Sequence, residues 1–143
     1  MTVRVKKLHE RAILPTYGTP FAAGADLYAI AAETIAPGET KLIHTGIAME
    51  IPEGYGGFLY ARSGLATKRG LAPANKVGVI DADYRGEIMV ALYNQSGIPQ
   101  TVEAGERVAQ LVIAPFLHAV FTESESLEET DRGAGGFGST GKK

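Results

Sequence analysis

The stretch Val77-Gly78-Val79-Ile80-Asp81-Ala82-Asp83-Tyr84-Arg85-Gly86-Glu87-Ile88-Met89-Val90-Ala91-Leu92-Tyr93 reads as strand, polar interruption, strand. Val77 to Ile80 and Glu87 to Tyr93 are rich in β-branched and aromatic residues, which suit a pleated, half-buried surface. Asp83-Tyr84-Arg85-Gly86 between them reads as a loop, because Asp and Gly are turn formers. The same grammar continues outward. Val108 to Phe116 is strongly apolar and follows Ala104-Gly105-Glu106, and Tyr55 to Ala61 follows the breaker Pro52-Glu53-Gly54. Glu39 to Ile51 largely alternates after the Pro37-Gly38 turn, with Ile43, Thr45, Ile47 and Met49 on one face. Asp26 to Ile30 is a further short apolar run, and Val3 and Val5 open the chain as a first strand. Only Ser63 to Arg69 reads as a helix. The 18 glycines and 7 prolines fall between these runs as punctuation, with one dense glycine cluster at the end. The predicted fold is all-β: a jelly-roll-like barrel over 1–121 with one short helix, followed by a flexible Gly-rich C-terminal arm at 122–143.

Composition bounds the function. A chain of 143 residues, 45% hydrophobic and 21% charged, fits one domain with its own core. A net charge of -2 argues against a general nucleic-acid binder. Cysteine is absent, which excludes disulfides and thiol nucleophiles and fits a reducing compartment. The start, MTVRVKKLHE, lacks the apolar run of a signal peptide, and no stretch is apolar for long enough to span a membrane. The expectation is a cytoplasmic protein without a membrane partner.

Five segments carry groups that could do chemistry. In Ala23-Gly24-Ala25-Asp26-Leu27-Tyr28-Ala29, Asp26 is either a turn residue or a carboxylate at a strand edge, able to hold hydrated magnesium. In Ala61-Arg62-Ser63-Gly64-Leu65-Ala66, a hydroxyl, a guanidinium and glycine-flanked amides suit phosphate. The structural alternative makes Ser63 an ordinary helix N-cap and Arg62 a solvated charge. Asn75 to Glu87 places Asp81 and Asp83 where one could orient a water, with Tyr84 as a surface for a sugar ring. The alternative there is a plain hairpin loop. Arg107 and Gln110, in Glu106-Arg107-Val108-Ala109-Gln110-Leu111, read locally as surface residues beside a buried edge. Arg132-Gly133-Ala134-Gly135-Gly136-Phe137-Gly138-Ser139-Thr140-Gly141 offers amides and hydroxyls to phosphate and a lone Phe for stacking on a base.

Each segment alone is a weak signal, but their joint order is specific. AGADLYA, ARSGLA, GVIDADYRGE, ERVAQL and RGAGGFGSTG resemble the five motifs of the trimeric dUTPase family, in the family's order, from residue 23 to residue 141. The resemblance spans nearly the whole chain. It implies a dUTPase-like β-clip fold, hydrolysis of dUTP to dUMP and pyrophosphate with Mg2+, and a homotrimer with shared sites. Such an activity keeps uracil out of DNA and supplies dUMP for thymidylate synthesis.

Carried over residue by residue, Asp81 polarises the water that attacks the α-phosphorus. Tyr84 packs against deoxyribose and leaves no room for a 2′-hydroxyl. Asn75 and the backbone at Gly78 read uracil. Arg62, Ser63, Gly64 and Gln110 contact phosphates, Arg107 supports the site, and Asp26 holds magnesium through water. Phe137 stacks on the uracil, while Arg132, Gly138, Ser139 and Thr140 close over the phosphates from a third subunit. Two departures stand out: Ala61 where Gly or Pro is frequent, and Lys76-Val77 where Ala-Pro is frequent. Neither removes a reacting group.

The alternatives are a dCTP deaminase-like enzyme of the same fold and a non-catalytic nucleotide-binding β-domain. The Asp-Tyr-Arg-Gly continuation and the Phe-Gly-Ser-Thr tail weigh against both. A serine hydrolase lacks a partner for Ser63, and His9, His44 and His118 have no metal-ligand spacing, so all three read as structural or surface histidines. The acidic run from Glu123 to Asp131 reads as a solvated connector.

Overall fold

The computed structural model describes residues 1–141. Along them run β1 (Arg4–Lys7), β2 (Thr16–Tyr17), β3 (Ala25–Tyr28), β4 (Glu33–Ile35), β5 (Thr40–His44), β6 (Ile47–Glu50) and β7 (Tyr55–Tyr60). The helix α1 (Ser63–Arg69) follows, then β8 (Leu71–Pro73), β9 (Gly78–Ile80), β10 (Met89–Asn94), β11 (Gln100–Val102) and β12 (Arg107–Pro115). All strand pairs are antiparallel. One sheet has the order β2-β3-β12-β7-β9 and a second β5-β10-β8, with two-stranded ladders β1-β6 and β11-β4 beside them. The result is jelly-roll-like. Its ladders do not close into a barrel among the described residues, since β2 and β9 end the large sheet as edges.

One core joins the sheets. Leu27, Ile43, Ile47, Leu59, Leu71, Val90, Leu92 and Val108 meet inside it. Within β5 the alternation of the run from Glu39 to Ile51 chooses its inner face as expected for a strand, Ile43 being 1% exposed and Leu42 53%, whereas in β6 Ile47, Ala48 and Met49 are all buried. The run is two strands. It breaks at Thr45-Gly46, where Gly46 takes φ 68, in the left-handed region. A Cβ there would lie 3.0 Å from both the His9 Cβ and the Ile30 Cγ2, so the kink requires glycine. Past the break the chain leaves β10 and pairs with β1.

The stretch from Val77 to Tyr93 departs from the hairpin reading. β9 pairs with β7, whereas β10 pairs with β5 and β8, so Asp81 to Ile88 crosses from one sheet to the other. Ile80 and Ile88 are both buried, which anchors each end of the crossing in the core and leaves the polar residues between at the surface. Four short strands, β2, β4, β8 and β11, were invisible to periodicity because two or three residues do not define a period. Tertiary pairing makes them, as where the Thr34 and Thr101 hydroxyls meet at 2.8 Å across β4 and β11.

The helix falls on Ser63 to Arg69 as expected, with Leu65 buried. Its N-cap is Arg62 rather than Ser63, and the cap makes no side-chain hydrogen bond. Ser63 is the first helical residue, which removes the capping explanation for its hydroxyl. Beyond Pro115 the described chain carries neither strand nor helix. The arm expected at 122–143 falls there, its last two residues outside the described ones. Leu117, Val120, Phe121 and Leu127 are each almost fully exposed on this segment.

Candidate active site

The sequence-selected residues gather in two cavities and one open segment. The first cavity, of about 290 Å³, lies where β3, the start of α1 and β12 converge. Asp26, Arg62, Ser63, Gly64, Arg107 and Gln110 line it. Asp26 is its electrostatic hub. Arg62 Nε donates to Asp26 Oδ1 at 2.8 Å and Arg107 donates to Oδ2 at 3.3 Å, so both carboxylate oxygens face a guanidinium. The Asp26 side chain is only 13% exposed and that of Arg62 28%, which makes their pair less screened than a surface one, whereas Arg107 is 49% exposed and its pair is the more screened. Gln110 donates to the Ala61 carbonyl at 2.8 Å and ties β12 to the segment that enters the helix. A cluster with two guanidinium groups, one carboxylate, an uncapped hydroxyl and a primary amide can hold a polyanion.

The second cavity, of about 300 Å³, opens between β8 and β9, the edge strands of the two larger sheets. Asn75, Gly78, Asp81 and Tyr84 line it with apolar neighbours that include Leu42, Pro73, Ile88 and Met89. The turn before β9 is tight. Lys76 N–H donates to the Pro73 carbonyl at 3.0 Å and Val77 N–H to the Asn75 carbonyl at 2.7 Å, with Lys76 left-handed at φ 66. Gly78 is buried and Asp81 exposed at the end of β9. The Tyr84 hydroxyl donates to the Glu87 carbonyl at 2.9 Å, and its ring lies so close to Gly86 that a Cβ there would sit 2.6 Å from Cζ. Whereas Asp26 is paired twice, Asp81 enters no ion pair among the described residues.

The two cavities share no lining residue. The third group, Arg132, Phe137, Gly138, Ser139 and Thr140, lines neither; Phe137 is fully exposed and left-handed at φ 49. Arg132 Nε donates within the segment to the Gly135 carbonyl at 2.8 Å. Sequence reasoning missed the anchoring of the second cavity by Glu87 and His44. Glu87 Oε1 accepts the Gly46 N–H at 2.8 Å and Oε2 lies 2.9 Å from His44 Nδ1. These partners are 41 and 43 residues apart, and no local pattern points to them.

Magnesium can be tested against the donor set. No group of three or more His, Cys, Asp or Glu suited to a metal occurs among the described residues. Asp26 is the carboxylate of the polyanion cavity, and both its oxygens are engaged. Such a set fits a Mg2+ ion that takes most of its ligands from phosphate and water and meets the protein through Asp26, as Mg2+ commonly does. It does not fit a resident all-protein cage.

Fold and cavities together define a class: an antiparallel β-domain with a cationic cavity and a separate aspartate-bearing one. The dUTPase family model matches residues 10–141, and the chain belongs to that family. It is 51% identical over 142 residues to the deoxyuridine 5'-triphosphate nucleotidohydrolase of Nautilia profundicola, covering 99% of this chain and 100% of the relative. The dUTPase of Staphylococcus bacteriophage 80alpha, solved with dUPNHPP, superposes with a TM-score of 0.91 at 31% identity, covering 98% of each chain. A mutant dUTPase from phage phi11 of S. aureus, solved to show the coordination of a structural Mg(II) ion, gives a TM-score of 0.81 at 28% identity, covering 90% of this chain and 100% of that one.

Proposed function

We infer that the chain hydrolyses dUTP to dUMP and pyrophosphate, with water attacking the α-phosphorus. Family membership supplies the activity class. The observation that carries the mechanistic reading is the division of labour between cavities that share no residue. Arg62, Ser63, Gly64 and Gln110 present cationic and polar groups to the triphosphate. Asp81, unpaired at the end of a strand, is free to accept a proton from the attacking water. Tyr84 offers its face to the deoxyribose, and Asn75 with the Gly78 backbone reads the base. Asp26 would hold a Mg2+ ion through water, and that ion would supply positive charge against the phosphates.

The same division supports a homotrimer in which copies complete one another's sites. In this reading 1–121 is the catalytic body and 122–143 an arm that closes over a site in the trimer. The apolar side chains exposed between Leu117 and Leu127 fit burial against a neighbouring copy. Phe137 stacks on uracil, while Arg132, Gly138, Ser139 and Thr140 reach the phosphates, and closure aligns the reactants while excluding bulk water. Among the described residues no helix is long and apolar enough to cross a membrane, and a cytoplasmic location accords with a nucleotide substrate.

The test is pyrophosphate release with magnesium, comparing dUTP with dCTP, dTTP and UTP, for the wild type and Asp81→Asn. The expected result is a strong dUTP preference that the variant abolishes. Ammonia release from dCTP would move the chain to the deaminases, and tight dUTP binding without turnover to a non-catalytic nucleotide-binding domain.

A further inference from the structure

Glu87 makes contacts that the reaction itself does not use. Its carboxylate takes the Gly46 N–H at 2.8 Å and pairs with His44 at 2.9 Å. Its carbonyl accepts the Tyr84 hydroxyl at 2.9 Å. The next N–H, of Ile88, donates to the Ile47 carbonyl at 2.8 Å, and Thr45 Oγ1 donates to the Ile88 carbonyl. The Glu87–Ile88 peptide is one rigid plane whose carbonyl and N–H point in opposite directions. One end of that plane is fixed on Ile47 and the other holds Tyr84. Gly86 confines the ring from a second side, since nothing larger fits beneath it.

We propose that Glu87 is a positioning residue for sugar selection: anchored on the break between β5 and β6, it sets where the Tyr84 ring stands in the cavity shared with Asn75, Gly78 and Asp81. The proposal rests on the dUTP-hydrolysing reading. Rejection of a 2′-hydroxyl by a ring is steric, so it depends on the ring staying put. The anchor itself does not give: Gly46 is held in a left-handed kink, and Ile47 beside it is fully buried. The Glu87 side chain is 23% exposed and that of His44 52%, so the amide hydrogen bond to Gly46 contributes more to the anchor than the solvent-screened pair with His44. A neutral side chain of the same shape therefore retains the function.

The experiment measures kcat/KM for dUTP and UTP in the wild type, Glu87→Ala, Glu87→Asp, Glu87→Gln, Tyr84→Phe and the Ala/Phe double variant, with thermal midpoints alongside. Glu87→Ala is expected to narrow the dUTP:UTP ratio roughly tenfold, the scale of a steric pocket changed by about one methylene. Glu87→Asp narrows it less, and Glu87→Gln restores it. The double variant discriminates no worse than the poorer single one, because both act through one ring. An unchanged ratio in Glu87→Ala and Glu87→Asp despite a lowered midpoint overturns the proposal, as do effects of Ala and Phe that multiply. If Glu87→Ala fails to fold, Glu87→Asp and Glu87→Gln decide the matter alone. A wild type that releases no pyrophosphate from dUTP sinks the functional reading itself, and that outcome is distinct from an active enzyme with an indifferent ratio.

Discussion

The two cavities are built by different means. The one with Asp26 is held by side-chain ion pairs: both carboxylate oxygens bind arginines, and Gln110 is tied to a carbonyl. The one with Asp81 is held mostly by backbone hydrogen bonds, a tight turn at Lys76 and a crossing segment docked on Ile47, with the Glu87 carboxylate on the Gly46 N–H as its side-chain anchor. The difference teaches where each recognition can come from. Charge pairs adapt to a polyanion and respond to salt, whereas a cavity lined by apolar side chains on a fixed backbone selects by shape. Asp81, the carboxylate proposed to react, stands in the second kind, where no ion-pair partner among the described residues competes for it.

Breaking the shape-built cavity at Asp81, its proposed reactive group, has the largest expected effect. Asp81→Asn lowers kcat by about 10²–10⁴-fold, the worth of a positioned proton acceptor, while calorimetry with a non-hydrolysable dUTP analogue finds binding nearly unchanged. Leu92→Ala, in the buried centre of β10, opens a void in the core beside Val90 and Ala91, which line the second cavity. It destabilises by about 2–5 kcal/mol in chemical denaturation, and any residual activity loses substrate selectivity before phosphate affinity.

Phe137→Ala removes the one aromatic of the exposed arm. Its kcat/KM for dUTP falls roughly ten- to hundredfold, the value of one base stacked on a ring, with no change in thermal midpoint. The ion-paired cavity answers more mildly and differently. Asp26→Asn raises KM for dUTP by about tenfold, because two guanidinium groups lose the carboxylate that orients them. The smallest effect sharpens the comparison most. Raising salt from about 0.1 to 1 M shortens the screening length from roughly 10 to 3 Å. KM for dUTP should rise several-fold while the dUTP:UTP ratio stays within about twofold. A ratio that moved in step with KM would show that both cavities select by charge.

Much of the fold was legible because the long strands carry their own period. The seven principal runs and the single helix fall where alternation, breakers and turn residues put them. β2, β4, β8 and β11, of two or three residues each, carry no such signal and exist only because a partner strand lies beside them. The break at Gly46 was hidden for a related reason: alternation continues through Thr45 and Ile47, both buried, while the backbone changes sheets. In the candidate site, residue types pointed to Asp26, Arg62, Asp81 and Tyr84, but local reading left each with a plain structural alternative. The structure removes the N-cap alternative for Ser63 and the hairpin alternative for Asp81. It also supplies Glu87 and His44, whose partners lie some forty residues away.

By itself the sequence determined the strand-rich class, the placement of the helix and, through five ordered motifs, the family. These are local properties: periodicity, turn chemistry and short segments whose spacing survives any arrangement in space. Only the tertiary structure decided which strands pair, that Asp81 stands on a crossing between sheets, and that Asp26, Arg62, Ser63 and Gln110 line one cavity while Asn75, Gly78, Asp81 and Tyr84 line another. The physical reason is that pairing, burial and ion contacts depend on distances across the core, between residues whose separation along the chain carries no record of them.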